Sequence, residues 1–246
     1  MQIKDLAQEL SSCTYPGRGI ILGRSEGGKS AAVAYFIMGR SVNSRNRIFE
    51  PTEDGIRTKA FDESQMTDPS LIIYHPVRWF DGKLIVTNGD QTDTIRDFMA
   101  QGHCYRHALL TRTFEPDSPN YTPRISGVVK PNGDFNLSIL KSGGDGPDTT
   151  LRYFYEYENL RAGQGRYLHT YRGDGDPLPS FEGEPTPVTV PGSLEAFSQT
   201  VWNHLDSQNR VSLYTCFIDL ATGKRQWRIV NKNSADTCGA CQEGQV

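Results

Sequence analysis

Short apolar runs separated by turn residues dominate the hydrophobic pattern of this chain. Several successive runs are joined by connections rich in Gly or Asn, such as Asp81-Gly82, which are typical of β-hairpins. The pattern predicts five hairpins, whose strands cover residues 17–24 with 31–38, 71–80 with 83–88, 124–130 with 134–141, 151–158 with 165–171, and 210–219 with 225–232. Pro76 interrupts one run and predicts an edge position or a bulge there.

A different period marks the helices. Ile95, Phe98 and Met99 lie three and four residues apart and form one apolar face, so a helix is predicted with Thr92 or Asp93 as its cap and an end at Gly102. Further helices are predicted over residues 3–12, 103–113 and 193–207.

Paired strands and separately grouped helices favour an α+β fold with antiparallel sheets rather than an alternating α/β fold. No internal linker or repeat divides the 246 residues, so we expect one domain. Residues 1–14 are expected to form a helical extension and residues 233–246 a loose tail.

The amino-acid composition narrows the classes of function that the chain could have. Hydrophobic residues make up 36% of the chain, charged residues 22%, and the net charge is −3, which is typical of a soluble protein without the basic balance of nucleic-acid binders. No run of about 18 apolar residues predicts a membrane span. Five widely spaced cysteines favour reduced thiols in the cytoplasm, and Cys238 and Cys241, the one closely spaced pair, lack a second pair for zinc.

Residues 39–47, GRSVNSRNR, concentrate cationic and hydroxyl groups. Arg40 and Arg45 present guanidinium donors that suit phosphate oxygens, with Ser41 between them. Most Arg-rich loops are simply solvated, so this pattern alone leaves both interpretations open.

The turn TNGDQTD at residues 87–93 carries more polar groups than a helix cap needs. Asn88-Gly89 permits a tight turn, and the start of the following helix can attract an anion or polarise a carbonyl. Asp90 and Asp93 oppose a bare anion and suit capping or sugar hydroxyls. A plain helix cap explains Thr92 and Asp93 but leaves Asn88, Asp90 and Gln91 unexplained.

Two further groups could act on a substrate. Tyr74 and Arg78, four apart on a predicted strand, would face the same side, and a Tyr beside a cation can donate a proton, although strand tyrosines more often only pack. Glu115 lies in a loop before Thr122 and Arg124, where a predicted strand begins. It could act on a substrate, although a single carboxylate in a loop is usually only solvated.

Signals for other chemistries are weak. Gly23–Ser30 fits the bare spacing of a phosphate-binding loop, but a β-like run follows it instead of a helix. His103 and His107 lie four apart with no third ligand near, so no metal site is predicted.

Three blocks of the chain, taken in order, resemble the archaeal-type inosine monophosphate (IMP) cyclohydrolase family. They are YPGRGIILGRSEGGKSAAVAYFIMGRSVNSRNR, YHPVRW with LIVTNGDQTDTI, and YTPRISGVV; the resemblance is strong over residues 15–130 and later shows only in LHTY at 168–171. The chain departs from the family pattern at Asp90-Gln91, where the family has Ser-His. The matching positions are Arg40, Ser41, Arg45, Tyr74, Arg78, Asn88, Gly89, Thr92, Asp93, Thr122, Pro123 and Arg124.

The resemblance implies a four-layer αββα sandwich similar to that of the Ntn hydrolases. It also implies closure of the purine ring of 5-formamidoimidazole-4-carboxamide ribonucleotide to IMP, the last step of purine biosynthesis, with no cofactor or metal. Tyr74, Glu115 and Arg124 would form the catalytic set. A larger set would bind the nucleotide: Arg18, Arg40, Ser41, Arg45, Arg78, Asn88, Gly89, Thr92, Asp93 and Thr122.

Two other functions fit the same pattern. A purine-nucleotide-binding module could keep the pocket without catalysis, and an amide hydrolase could use the same fold. Met1 begins a helix and offers no terminal Cys, Ser or Thr nucleophile, which disfavours the hydrolase. In each case the expected partner is a small molecule, and a homo-oligomer remains open.

Overall fold

The computed structural model describes residues 2–66, 72–144 and 146–241. Its helices are α1 (Leu6–Ser11), α2 (Val42–Arg45), α3 (Gln91–Ala100), α4 (Tyr105–Leu110) and α5 (Leu194–His204), with a 3-10 turn at Glu63–Gln65. Its strands are β1 (Arg18–Arg24), β2 (Ser30–Met38), β3 (Arg47–Thr52), β4 (Gly55–Ala60), β5 (Val77–Phe80), β6 (Lys83–Thr87), β7 (Arg124–Val129), β8 (Phe135–Ser142), β9 (Thr150–Tyr157), β10 (Gln164–His169), β11 (Thr186–Thr189), β12 (Arg210–Asp219), β13 (Arg225–Asn231) and β14 (Thr237–Cys241).

These strands form two antiparallel sheets. The first has the order β11-β10-β1-β2-β12-β13-β14, and the second runs β3 to β9 in chain order. The first sheet therefore combines strands from both ends of the chain, whereas the second is a meander built from the middle. The α+β class with antiparallel sheets is confirmed.

Apolar side chains divide the molecule into four layers. Ile20, Leu22 and Tyr35 of the first sheet pack against Val86 and Ile125 of the second and form the central core. Leu10 of α1 and Phe197 of α5 cover the outer face of the first sheet, while Ile95 of α3 and Leu109 of α4 cover that of the second. The order helix, sheet, sheet, helix follows from the period-two alternation of apolar residues along the strands.

A close contact across the central core joins β1 to β7. Gly127 has no side chain, and a Cβ placed there would lie 2.7 Å from Cδ1 of Leu22. The side chain of Leu22 therefore occupies space that a larger residue at position 127 would need.

Four of the five predicted hairpins are confirmed, within the described residues. β1 pairs with β2, β5 with β6, β7 with β8, and β12 with β13. The turn at Asp81-Gly82 places both residues at positive φ, 49° and 68°, as a tight hairpin turn requires. Residue 71 of the predicted strand 71–80 lies outside the described residues, and β5 begins only at Val77, after Pro76.

The predicted hairpin between residues 151–158 and 165–171 is wrong. β9 pairs with β8 in the second sheet, whereas β10 pairs with β1 and β11 in the first, so the chain crosses between sheets over residues 158–163. Gly163 anchors the crossing, since its N–H donates to the carbonyls of Arg24 and Ser25. Apolar and polar residues alternate in both runs, so the sequence pattern predicts two strands but does not show which strand each one pairs with.

All four predicted helices occur, but the cap predicted for α3 is wrong. The helix begins at Gln91 after Asp90, and the Asp90 side chain makes no capping hydrogen bond. Thr92 and Asp93 lie inside the first turn and bind other groups. Within the part of the chain that the structure describes, no helix is long and apolar enough to cross a membrane.

The segment predicted as a loose tail contains a strand. Thr237–Cys241 forms β14, which pairs with β13 at the edge of the first sheet; residues 242–246 lie outside the described residues. Small residues such as Gly239 and Ala240 carry little β propensity, so backbone pairing with β13 decides the outcome.

We expect the Cys238→Ser/Cys241→Ser double variant to retain its unfolding midpoint and metal content, because Cys238 is exposed on the edge strand. Thermal unfolding and elemental analysis would measure both. Cys216→Ser, which places a hydroxyl in the central core, should instead lower the midpoint. Stoichiometric zinc that disappears in the double variant would contradict this expectation.

Candidate active site

Polar side chains from both sheets meet at one end of the sandwich, around Glu115. This carboxylate is only 2% exposed. Its loop between α4 and β7 is closed by two hydrogen bonds, from the N–H of Glu115 to the carbonyl of Thr122 at 2.9 Å and from the N–H of Thr122 to Oδ1 of Asp117 at 2.6 Å. The sequence-predicted Thr122 therefore fixes the loop that carries Glu115.

Burial raises the pKa of Glu115 to about 7, against the opposing charges of Arg18 and Arg124. Both protonation states of this carboxyl are therefore populated near neutral pH. A group of this kind can accept and return a proton, as general acid–base chemistry requires.

Arg18, the first residue of β1, points the same way as Ile20 and Leu22, into the space between the sheets. Its Nε is buried and has no hydrogen-bond partner among the described residues. Burial acts to lower the pKa of Arg18, but Glu115 and nearby tyrosine hydroxyls outweigh it, and the pKa stands above its ordinary value. Arg18 is therefore a permanent cation beside Glu115, with donor capacity left for a ligand.

Gly89 explains part of the polar turn between β6 and α3. A Cβ at this position would lie 2.6 Å from Nη1 of Arg124 and 3.4 Å from Oε1 of Glu115. Arg124 thus occupies space that a side chain at position 89 would need, and Glu115 lies beside that space.

The other polar residues of the turn bind the protein. Asn88 is fully buried; its amide donates to the carbonyl of Pro123 at 2.8 Å and accepts from the N–H of Ile125 at 2.8 Å. The hydroxyl of Thr92 donates to the carbonyl of Gly89 at 3.1 Å. These bonds fix the shape of the turn at the start of β7.

Tyr74 lies at this site, but it is not on the strand that the sequence predicts for it. It precedes β5 in an irregular segment, its N–H donates to Oγ1 of Thr58 at 2.8 Å, and its hydroxyl lies 2.8 Å from that of Tyr35. The predicted shared strand face with Arg78 is therefore wrong. Arg18 and Arg47 are the cations near this tyrosine pair.

Arg78 and Asp93, both predicted to bind substrate, bind each other at 2.5 Å. Arg78 also pairs with Asp54 and lies 3.0 Å from Nδ1 of His75. The guanidinium is thus neutralised within the protein, where it links the β4 end of the second sheet to α3.

The Arg-rich loop contains α2, which Ser41 caps through its hydroxyl. Arg45 donates to the carbonyl of Gly39 and to Oδ1 of Asn209, both at 2.9 Å. Arg40 stays half-exposed over the ring of Tyr15 and pairs with Asp174. Both arginines are exposed, and each already has a partner within the protein.

Sequence reasoning missed Tyr171. Its hydroxyl bonds to Oγ1 of Thr122, and its ring stacks on Tyr15 with centroids 6.1 Å apart. Burial raises the pKa of Tyr171 to about 12, with Arg18 opposing. The block LHTY at 168–171, which resembles the family pattern, is the sequence signal that points to Tyr171.

A family model described as IMP cyclohydrolase-like protein matches residues 15–224. The chain belongs to this family. An IMP cyclohydrolase of Methanopyrus kandleri is 33% identical over 185 residues, covering 68% of this chain and 89% of that protein. One of Methanosphaera stadtmanae is 28% identical over 161 residues, 64% and 73% of the two chains.

The IMP cyclohydrolase-like match extends well beyond residue 130, where the sequence resemblance becomes weak. It takes in β8 to β12, including Tyr171. Helix α1 and strands β13 and β14 lie outside it, although α1 packs on the same sheet as α5.

Proposed function

We propose that this protein is an IMP cyclohydrolase, which closes 5-formamidoimidazole-4-carboxamide ribonucleotide to inosine monophosphate with loss of water. The observation that carries the proposal is a buried carboxyl, Glu115, with a pKa raised to about 7 beside two arginines. Family membership supplies the substrate class.

Both reacting groups belong to one molecule, so the protein supplies geometry and proton transfer. The carboxamide nitrogen attacks the formyl carbon, the N–C bond forms, and the formyl oxygen leaves as water. Holding the two groups in a near-attack arrangement can contribute several kcal/mol to the rate. The chemistry requires no redox change and no bound group.

Glu115 accepts the proton from the attacking nitrogen, which its raised pKa permits near neutral pH. Tyr74 donates a proton to the formyl oxygen, and Tyr35 holds the Tyr74 hydroxyl at 2.8 Å. Glu115 then gives its proton to the resulting hydroxyl, which leaves as water, and the proton of the formamide nitrogen restores Tyr74. Arg124 stabilises charge on the substrate oxygens beside Glu115.

The nucleotide's remaining groups meet the other predicted residues. Arg18 and Arg40 contact anionic oxygens, with Arg45 and Ser41 forming the loop that carries Arg40. The turn of Asn88, Gly89 and Thr92 forms one wall, and the pairs Arg78–Asp93 and Thr122–Asp117 hold that wall in place.

The decisive experiment is direct. The purified protein is mixed with the formamido nucleotide, and the absorbance of inosine monophosphate is followed, with Glu115→Gln protein as the blank. Saturable turnover is expected. Binding without turnover, measured by calorimetry, would favour the non-catalytic nucleotide-binding module instead.

We expect Arg40→Ala to raise KM for the nucleotide about tenfold or more, since a hydrogen bond to a charged group contributes about 1.5–3 kcal/mol. The loss should shrink at high salt, where screening already weakens the charge interaction. Arg172→Ala removes an exposed arginine that pairs with Glu182 and serves as the control. Unchanged nucleotide binding at low salt would contradict the role of Arg40.

A further inference from the structure

One nitrogen of Arg124 makes all of the hydrogen bonds this side chain forms within the described residues. Nη1 donates to Oδ1 of Asp90 and to Oε1 of Gln91, both at 2.7 Å. The amide of Gln91 is itself fixed, because its Nε2 donates to Oδ1 of Asn88 at 3.0 Å. Nε and Nη2 of Arg124 are left for a ligand.

Asp90 is held from the opposite side. Its Oδ2 accepts from Nη2 of Arg112, which follows α4, and Nη1 of Arg112 lies 3.3 Å from Oγ1 of Thr94. Partial burial acts to raise the pKa of Asp90, but Arg112 and Arg124 outweigh it, and the pKa stands below its ordinary value. Asp90 is thus a carboxylate at neutral pH, in a row of alternating charges that runs from the end of α4 to Arg124.

We propose that Asp90 is a positioning residue for the reaction, because it holds the guanidinium of Arg124 so that Nε and Nη2 face the substrate oxygens beside Glu115. The inference rests on the proposed function. Arg112 supports Asp90 and acts through it. A free arginine side chain samples several rotamers, and fixing it before the substrate arrives removes that cost from the chemical step.

Burial distinguishes this pair from an ordinary surface ion pair. Exposed pairs contribute little to stability. The side chain of Arg124 is only 7% exposed, however, so removing Asp90 leaves a nearly buried cation whose remaining hydrogen-bond partner among the described residues is Gln91. Arg124 should then turn towards another anion, such as Glu115, which lies beside Gly89 and whose charge interacts with that of Arg124.

The test compares Asp90→Ala with Asp97→Ala. Asp97 lies on α3, which Asp90 directly precedes; it is equally exposed at 54% and pairs with Arg96. We expect Asp90→Ala to lower kcat about tenfold or more with KM nearly unchanged, and Asp97→Ala to change neither. Asp90→Asn, which keeps an oxygen acceptor for Nη1, should recover part of the loss.

A double-mutant cycle shows whether Asp90 acts through Arg124. In an Arg124→Ala background, Asp90→Ala should cause no further loss of kcat. An equal loss in both backgrounds, or an Asp90→Ala enzyme that matches Asp97→Ala, would overturn the proposal.

A crystal structure of Asp90→Ala separates this inference from the proposed function, because it reports the position of Arg124 whether or not the protein converts the formamido nucleotide. A displaced Arg124 supports the positioning role, and an unmoved Arg124 refutes it. Absence of turnover by the wild-type protein would count against the proposed function alone.

Discussion

Glu115→Gln protein should fold and bind nucleotide, yet its kcat should fall by about 10²–10⁴-fold, the range that a general acid or base contributes. Glutamine keeps the volume and removes the titrating proton. Steady-state kinetics with the formamido nucleotide would measure the loss. Glu182→Gln, which changes an exposed carboxylate paired with Arg172, is the matched control and should be silent.

Glu115→Gln should also change how the free energy of unfolding depends on pH. Because burial raises the folded-state pKa of Glu115 to about 7, its contribution to stability is complete below about pH 4.5 and is lost as pH rises through 7. Relative to wild type, Glu115→Gln protein should therefore gain about 3 kcal/mol of unfolding free energy between pH 4.5 and pH 8, since one pKa unit corresponds to about 1.4 kcal/mol.

Denaturant titrations of both proteins at the two pH values would measure this difference. A constant difference would mean that Glu115 titrates normally. A near-normal kcat in the variant would remove Glu115 from the chemical step.

Tyr74→Phe should lower kcat about 10²-fold or more while KM moves little, the pattern of an interaction made mainly in the transition state. The ring keeps its place, because the backbone of Tyr74 is held by Thr58. Tyr35→Phe is the control: it removes the same inter-tyrosine hydrogen bond but leaves the Tyr74 hydroxyl in place.

Both tyrosine variants lose that buried hydrogen bond, so both should lose about 1–3 kcal/mol of stability. Only Tyr74→Phe should lose most of its turnover. Equal kinetic losses in the two variants would make the pair structural and leave Arg124 or an ordered water as the proton donor.

Sequence reasoning succeeded where the determinants are local. The hairpin at Asp81-Gly82 and the apolar face of α3 depend on neighbours a few residues apart, and both occur in the structure. The crossing from β9 to β10 depends on which sheet each strand joins, a long-range choice that alternation does not encode.

The site shows the same division. Glu115 and Arg124 were singled out by residue type and resemblance, but only the fold brings Arg18 to them from the other sheet. Arg78 looked like a free cation because Asp54 and Asp93 are distant in sequence, and the cation expected beside Tyr74 proved to be Arg18 or Arg47. The sequence therefore could not predict which charged residues pair with each other when they lie in distant segments of the chain.

The contact between Leu22 and Gly127 makes the spacing of the two sheets a determinant of the charge geometry at Glu115. Arg18 and Leu22 lie on one strand, and Arg124 and Gly127 on the other. A wholly apolar change such as Gly127→Ala would act first on Leu22, whose methyl carbon lies 2.7 Å from the added Cβ and would have to move. Such a variant, with every polar residue intact, would show how far the proton acceptor depends on the packing between the sheets.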